Sequence, residues 1–324
     1  MKKTNQTSVR LAGLAAAGAA LLGVSAQAAV PQAILIPGDK VFPESMTSTP
    51  EGAVIIGSIG TGQIYRAKAG SGAAQVWILA GADAPAGYLG VFADPQHETL
   101  WACSLPVAGP GVAKPVPSML HAYDLTTGRA KGHYPYPTAG GVCNDAAVGA
   151  DGTIYATDTS NMQVLRLKPG AAALEVWAGE GGFGPVGGVL DGIAVLGNRV
   201  IVNALATSKL FSVPVGKAGK AGKITEVKLD QPLDRPDGMR SFGKNSLLVA
   251  QGGSAGKGKL SRVTLKGDQG TVQVLSEGYP DGAVAVTVVG TTAYVLEAQF
   301  AAMRGPNPVP VKPFQATAVE VGKP

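Results

Sequence analysis

The sequence predicts an all-β fold, a six-bladed β-propeller of four-stranded blades around a central channel. Two observations carry that prediction. Apolar strand markers recur at Val54, Leu100, Ile154, Val200, Leu247 and Ala293, separated by 46, 54, 46, 47 and 46 residues. A period of roughly 40–50 residues built from short strands and tight turns belongs to a propeller rather than to a sandwich. The 46 glycines and 23 prolines suit turn-rich β structure, and no long apolar-periodic helix interrupts it.

Taken in order, residues 1–28 read as a secretory signal: Lys2, Lys3 and Arg10, an apolar run from Leu11 to Val24, then Ala26-Gln27-Ala28 as a small-residue cleavage site. That run is short and rich in Ala and Gly for a spanning helix, with an uncleaved anchor as the alternative. Residues 29–324 then form a single propeller domain, since no linker divides them. The expected location is the periplasm or the exterior, with no membrane partner after cleavage.

Blade three shows the repeating plan. Val142-Cys143-Asn144-Asp145-Ala146-Ala147-Val148 enters, Ala150-Asp151-Gly152 turns, Thr153-Ile154-Tyr155-Ala156-Thr157-Asp158 returns, and Gln163-Val164-Leu165-Arg166-Leu167 follows. Asp-Gly between alternating apolar runs is a strong hairpin signal. Equivalent third strands are Gln63–Arg66, Leu120–Tyr123, Lys209–Ser212 and Lys259–Arg262, and blade six has Thr291–Leu296 and Ala316–Val321. Ala33–Ile36 is placed to complete blade six and close the ring, which removes an exposed edge. The interval from Pro106 to Pro117 is rich in proline and is either a lid or a long surface loop.

Outside the signal the chain has 24 basic and 22 acidic residues, a near balance that argues against a nucleic-acid partner. Lys217–Lys223 and Lys257–Lys259 lie among glycines and read as solvated loops. Cys103 and Cys143 are the only cysteines. In an exported chain they form a disulfide or stay as two buried thiols, and two cysteines alone cannot build a structural zinc site.

Counting back nine or ten residues from each marker gives the position at which each innermost strand meets the channel mouth: Glu44, Gly90, Asn144, Asp191, Asp237 and Val284. A propeller gathers these distant positions into one ring. Glu44, Asn144, Asp191 and Asp237 supply three carboxylates and an amide oxygen, a set suited to a hard divalent cation, Ca²⁺ first, with Mg²⁺ or Zn²⁺ as alternatives. In blade six the spacing selects Val284 and leaves the nearby Asp281 as a turn residue. Second-strand ends return to the same face, so Ser58, Ser104, Asp158, Asn203, Gln251 and Glu297 are expected to rim the pocket and contact substrate, or else to satisfy loop backbone.

Phe42-Pro43-Glu44-Ser45, Val142-Cys143-Asn144-Asp145, Leu190-Asp191-Gly192-Ile193 and Arg235-Pro236-Asp237-Gly238-Met239, in that order and at blade spacing, resemble the senescence marker protein/gluconolactonase/luciferin-regenerating-enzyme family of six-bladed propellers. The resemblance spans nearly the whole chain after the signal. It implies one divalent cation on Glu44, Asp191 and Asp237, with Asn144 facing a small-molecule substrate and Asp237 as general base. Two departures stand out. Asp191 replaces the family's usual asparagine and adds negative charge, and Gly141, Val142 and Cys143 stand where some members place an arginine used on sugar lactones.

The function these residues imply is a secreted, metal-dependent hydrolase of a lactone or related ester, with metal-activated water at the channel. The alternative is a non-catalytic periplasmic propeller that binds a ligand or partner. His97, His121 and His133 fall at no mouth position, which disfavours a histidine dyad, and neither Ser58 nor Ser104 sits in a nucleophile elbow. A strictosidine-synthase-like reading lacks a catalytic glutamate in register.

Overall fold

In the computed structural model residues 1–2, 30–80, 86–107, 115–254, 256–306 and 308–324 are described. The signal expected at residues 1–28 therefore lies almost wholly outside the described residues, as does the centre of the Pro-rich interval. Val107 and Val116 pair as an isolated antiparallel bridge across that interval.

Six sheets follow one another along the chain, antiparallel throughout except for one edge pair in blade five. Their inner strands are Pro43–Ser48, Tyr88–Asp94, Cys143–Val148, Leu190–Leu196, Pro236–Phe242 and Ala283–Val289, one per blade. Five sheets have four strands. The blade-five sheet has a fifth, because Lys228–Leu229 runs parallel to the outer strand Gln269–Tyr279. Ala33–Ile36 pairs antiparallel with Phe314–Glu320 in the register Ala33↔Thr317 to Ile36↔Phe314, so the start of the domain supplies the outer strand of blade six and closes the ring. Alternation fixes that strand's face: Ile34 and Ile36 are buried, whereas Leu35 is exposed.

The core is not a single centre. Each hydrophobic cluster is shared between neighbouring blades: Phe42, Met46 and Ile56 of blade one pack with Tyr294, Leu296 and Phe314 of blade six, and Tyr155 and Val164 of blade three pack with Val200 and Phe211 of blade four. Inner and second strands bury both faces, and the second strands accordingly read as mostly apolar runs. Aromatic edges lock the seams, with the rings of Phe42 and Phe314 5.2 Å apart and T-shaped. A disulfide joins Cys103, on the second strand of blade two, to Cys143, at the head of the inner strand of blade three. It closes a span of 40 residues, worth roughly 4 kcal/mol by chain entropy.

Candidate metal centre

All six inner strands are bulged at the same place. The pairing with the second strand slips between Pro43 and Ser45, Tyr88 and Val91, Cys143 and Ala146, Leu190 and Ile193, Pro236 and Met239, and Ala283 and Ala285. Glu44, Gly90, Asn144, Asp191, Asp237 and Val284 lie inside those slips. A bulge re-aims the side chain that it carries, and here it does so in every blade but the second, where the position is Gly90.

Two residues before each carboxylate the backbone is left-handed at a non-glycine residue: Phe42 at φ 39°, Val189 at φ 59° and Arg235 at φ 52°. Before Val284 the same position is Gly282, at φ 80°, where the conformation is free of strain. For β-branched Val189 it is a true outlier, with a cost on the order of 1–3 kcal/mol.

Glu44, Asp191 and Asp237 each bring a carboxylate oxygen within 4.8 Å of the others, and all three are buried. With Ser45, Asn144, Asp145, Gly238 and Val284 they line a cavity of about 10 Å³, space for one occupant the size of a water or an ion. Burial drives all three carboxyls well above their usual range. The Asp191 and Asp145 charges add to that for Glu44, the Asp237 and Asp145 charges for Asp191, and the Glu44 charge for Asp237. A side-chain hydrogen bond from Asn144 opposes the shift at Asp191, and the Gly238 N–H, 3.0 Å from Asp237 Oδ1, opposes it at Asp237.

The blade-two mouth position carries no side chain for a geometric reason. A Cβ at Gly90 would collide with the Asn144 carbonyl oxygen and stand 2.6 Å from Asp145 Cα, so only glycine lets blades two and three meet there. At the blade-six mouth Val284 lines the cavity, while Asp281 sits in a turn and pairs with Lys312 at 3.3 Å.

Sequence reasoning missed two charged residues. Arg240 is 8% exposed and Asp145 3%, and they form an ion pair at 2.7 Å (Nη1 to Oδ2). Burial raises the Asp145 pKa, and Arg240 opposes it. The same guanidinium donates to the Met239, Met46 and Val91 carbonyls at 2.8, 3.0 and 2.9 Å and reaches Ser45 Oγ at 3.4 Å. The available signal was a charge inside a strand otherwise fit for burial, Met239-Arg240-Ser241-Phe242, since a buried arginine needs a partner.

The second-strand ends do not line the carboxylate cavity. Ser58 Oγ donates to the Val41 carbonyl, Asp158 Oδ1 accepts from Val142 N–H at 3.0 Å, Gln251 Oε1 from Asp234 N–H at 2.6 Å, and Glu297 Oε1 from Asp281 N–H at 3.1 Å. Each of these backbone groups lies two or three residues before a mouth position. Asn203 Nδ2 donates to the Asp237 carbonyl at 2.6 Å, and Ser104 Oγ accepts from Met119 N–H at 3.2 Å. All six side chains hydrogen-bond to backbone, the second of the two roles expected for them. The loops that feed the bulges leave buried N–H and C=O groups, and these side chains are the nearest partners. Among the histidines, His97 pairs with Asp94 at 2.8 Å and His121 Nε2 lies 3.0 Å from Ser104 Oγ; none lines the cavity.

The donor set fits a hard divalent cation. Its ligands are oxygens, they converge, and, among the described residues, no Lys, Arg or His forms an ion pair with Glu44, Asp191 or Asp237, because the nearby guanidinium is committed to Asp145.

No protein-family model matches this sequence, and no curated protein sequence does. Solved structures do match. A gluconolactonase from Xanthomonas campestris aligns over 87% of this chain and 87% of its own at TM-score 0.58 and 15% identity. Regucalcin from Agrobacterium tumefaciens, a calcium-binding protein, aligns over 90% and 97% at TM-score 0.58 and 14% identity. This chain has the fold of the gluconolactonase and regucalcin propellers. Virginiamycin B lyase from Staphylococcus aureus also shares it, over 89% and 98% at TM-score 0.55 and 14% identity. A fold that serves different reactions does not choose among them, so function rests on the site.

Proposed function

We propose that this protein is an exported, divalent-cation-dependent hydrolase of a lactone or related ester, acting at the mouth of the propeller channel. The observation that supports this most is the triad of buried carboxylates, within 4.8 Å of one another and without an ion-pair partner among the described residues. Three such groups stay close only if they are protonated or share a cation. Glu44, Asp191 and Asp237 would hold Ca²⁺ as the first choice. When bound, the cation would supply Lewis acidity and a lowered pKa for coordinated water.

The remaining roles belong to the chain. Asp237 has Oδ1 held by Gly238 N–H, which leaves Oδ2 to take a proton from the attacking water. Asn144 lines the cavity beside the triad, where its amide can orient the substrate's carbonyl oxygen or the leaving oxygen. Since the cavity holds only an ion or a water, the ester would lie above it, outside the ring of mouth residues. The resemblance to gluconolactonases and the solved gluconolactonase neighbour support the lactone class. The disulfide suits an oxidising, extracytoplasmic setting.

Calorimetric titration of Ca²⁺ into chelator-treated protein, paired with turnover of a lactone panel, tests the reading. The expected result is cation-dependent turnover, with affinity reduced about 100-fold or more in Glu44→Ala and turnover abolished in Asp237→Ala. Turnover that survives chelation would sink the mechanism. Calcium binding without turnover of any ester would favour the binding propeller instead.

A further inference from the structure

One step deeper in the channel than the carboxylates, the Arg240 guanidinium is wrapped by oxygen. Asp145 Oδ2 lies at 2.7 Å, the Met239, Val91 and Met46 carbonyls at 2.8, 2.9 and 3.0 Å, and Ser45 Oγ at 3.4 Å. These atoms come from the inner strands of blades one, two, three and five. A carboxylate, three backbone carbonyls and a hydroxyl form the hard-oxygen donor set of a divalent-cation cage. The occupant, however, is a side chain. Its fit is made by the two terminal nitrogens, while Arg240 Nε and Asp145 Oδ1 are buried without hydrogen-bond partners. Phe92 lies against the guanidinium, with its ring centroid 5.6 Å away.

We propose that Arg240 is a tethered cation that fills a second cation position of this channel and acts as the keystone of the inner strands, so that the carboxylate ring above it takes the only exchangeable ion. The charge balance follows. Four buried acids, Glu44, Asp145, Asp191 and Asp237, face one arginine, which is bound to the deepest of them. The three left over face the mouth. Arg240 is thus a positioning residue. It ties Ser45, next to Glu44, to Asp145, next to Asn144, and to Val91, next to Gly90, and so sets the spacing of three mouth positions from below.

A side chain that replaces an ion leaves an ion site when it is cut away. The test is thermal unfolding and calcium titration of the full chain as wild type, Arg240→Ala, Arg240→Lys and the double variant Arg240→Ala/Asp145→Asn. Wild type and Arg240→Ala are also measured in a Glu44→Ala background. In chelator, Arg240→Ala is expected to melt about 10 °C or more below wild type, to regain at least half of that loss in millimolar Ca²⁺, and to bind one ion more than wild type. Arg240→Lys, which keeps a tethered charge, should bind no extra ion, and Asp145→Asn should remove the calcium response of Arg240→Ala. Equal stoichiometry and equal calcium shifts in Arg240→Ala and wild type overturn the inference. So does an Arg240→Ala chain that refolds with calcium no better than with chelator. The Glu44→Ala background separates this idea from the hydrolase reading, since an ion gained there on adding Arg240→Ala belongs to the Arg240 position: if the unmutated chain binds no ion while Glu44→Ala/Arg240→Ala gains one over Glu44→Ala, the hydrolase reading fails and the tethered cation stands.

Discussion

The junction of blades two and three and the junction of blades four and five are built on the same bulged register and are used in opposite ways. At the first, the mouth residues Gly90 and Asn144 are uncharged, a disulfide ties the blades together, and no left-handed non-glycine residue sits two positions before the mouth. At the second, the mouth residues Asp191 and Asp237 are buried acids, no covalent link joins the blades, and Val189 and Arg235 hold left-handed backbone just upstream. One side of the ring is stapled, and the other stores strain and unbalanced charge. Both costs gather where the cation is proposed to bind, the pattern expected of a site shaped for a ligand.

The largest expected effect comes from unfastening the stapled side. Cys103→Ser with Cys143→Ser should cost roughly 4 kcal/mol, a fall in Tm on the order of 10 °C, and leave cation affinity within about threefold. Thermal unfolding beside a calcium titration checks both halves, and a large loss of affinity with little loss of stability would show that the contrast between the two junctions is misdrawn.

Acid should act next, and on the same side. His121 in blade two stacks on Tyr123 and meets the edge of Tyr88. Burial, with the His133 charge second, lowers its pKa from 6.5 to about 4. The unfolded chain therefore takes up this proton below about pH 6.5, and the folded chain only near 4, so its contribution is intact above the unfolded value and lost as pH falls through that window. At pH 5 the loss should be on the order of 1–2 kcal/mol, measured as the difference between wild type and His121→Phe in the change of denaturant stability from pH 7 to pH 5, which cancels the opposite contribution of the raised Glu44, Asp191 and Asp237 carboxyls.

The smallest effect lies on the strained side. Val189→Gly should relax the left-handed backbone before Asp191 and stabilise the protein by about 1 kcal/mol. Calcium affinity should fall in the same variant, because the bulge then holds Asp191 less firmly. Lower stability would show that Val189 packing outweighs its backbone strain.

The fold was legible because each blade repeats the same spacing, and that spacing survives the bulge: one extra residue per inner strand, in every blade, leaves the count from second strand to mouth unchanged. The count therefore separated Val284, which lines the cavity, from Asp281, which does not. It also brought out Glu44, Asp191 and Asp237, which the fold draws together. What the count lacks is direction within a strand end. Ser58, Asp158 and Gln251 lie at the expected height but turn to the feeding loops, a choice made by unpaired amides and carbonyls that no residue pattern displays. Arg240 shows in the sequence only as a charge inside a buried strand, and its pairing with Asp145 was illegible for a different reason, since the guanidinium takes its partners from four blades, with Asp145 95 residues away.

The pairing of Ala33 with Thr317 has a consequence for how the molecule is made. The two residues are 284 positions apart, so the ring cannot close until nearly all of the chain has emerged. Contacts this distant close slowly, and until they do both Ala33–Ile36 and the third strand of blade six present open edges to any neighbour. With the first strand waiting for the last, the final hydrogen-bonded ladder is the clock of assembly and the interval before it the period of greatest exposure to aggregation.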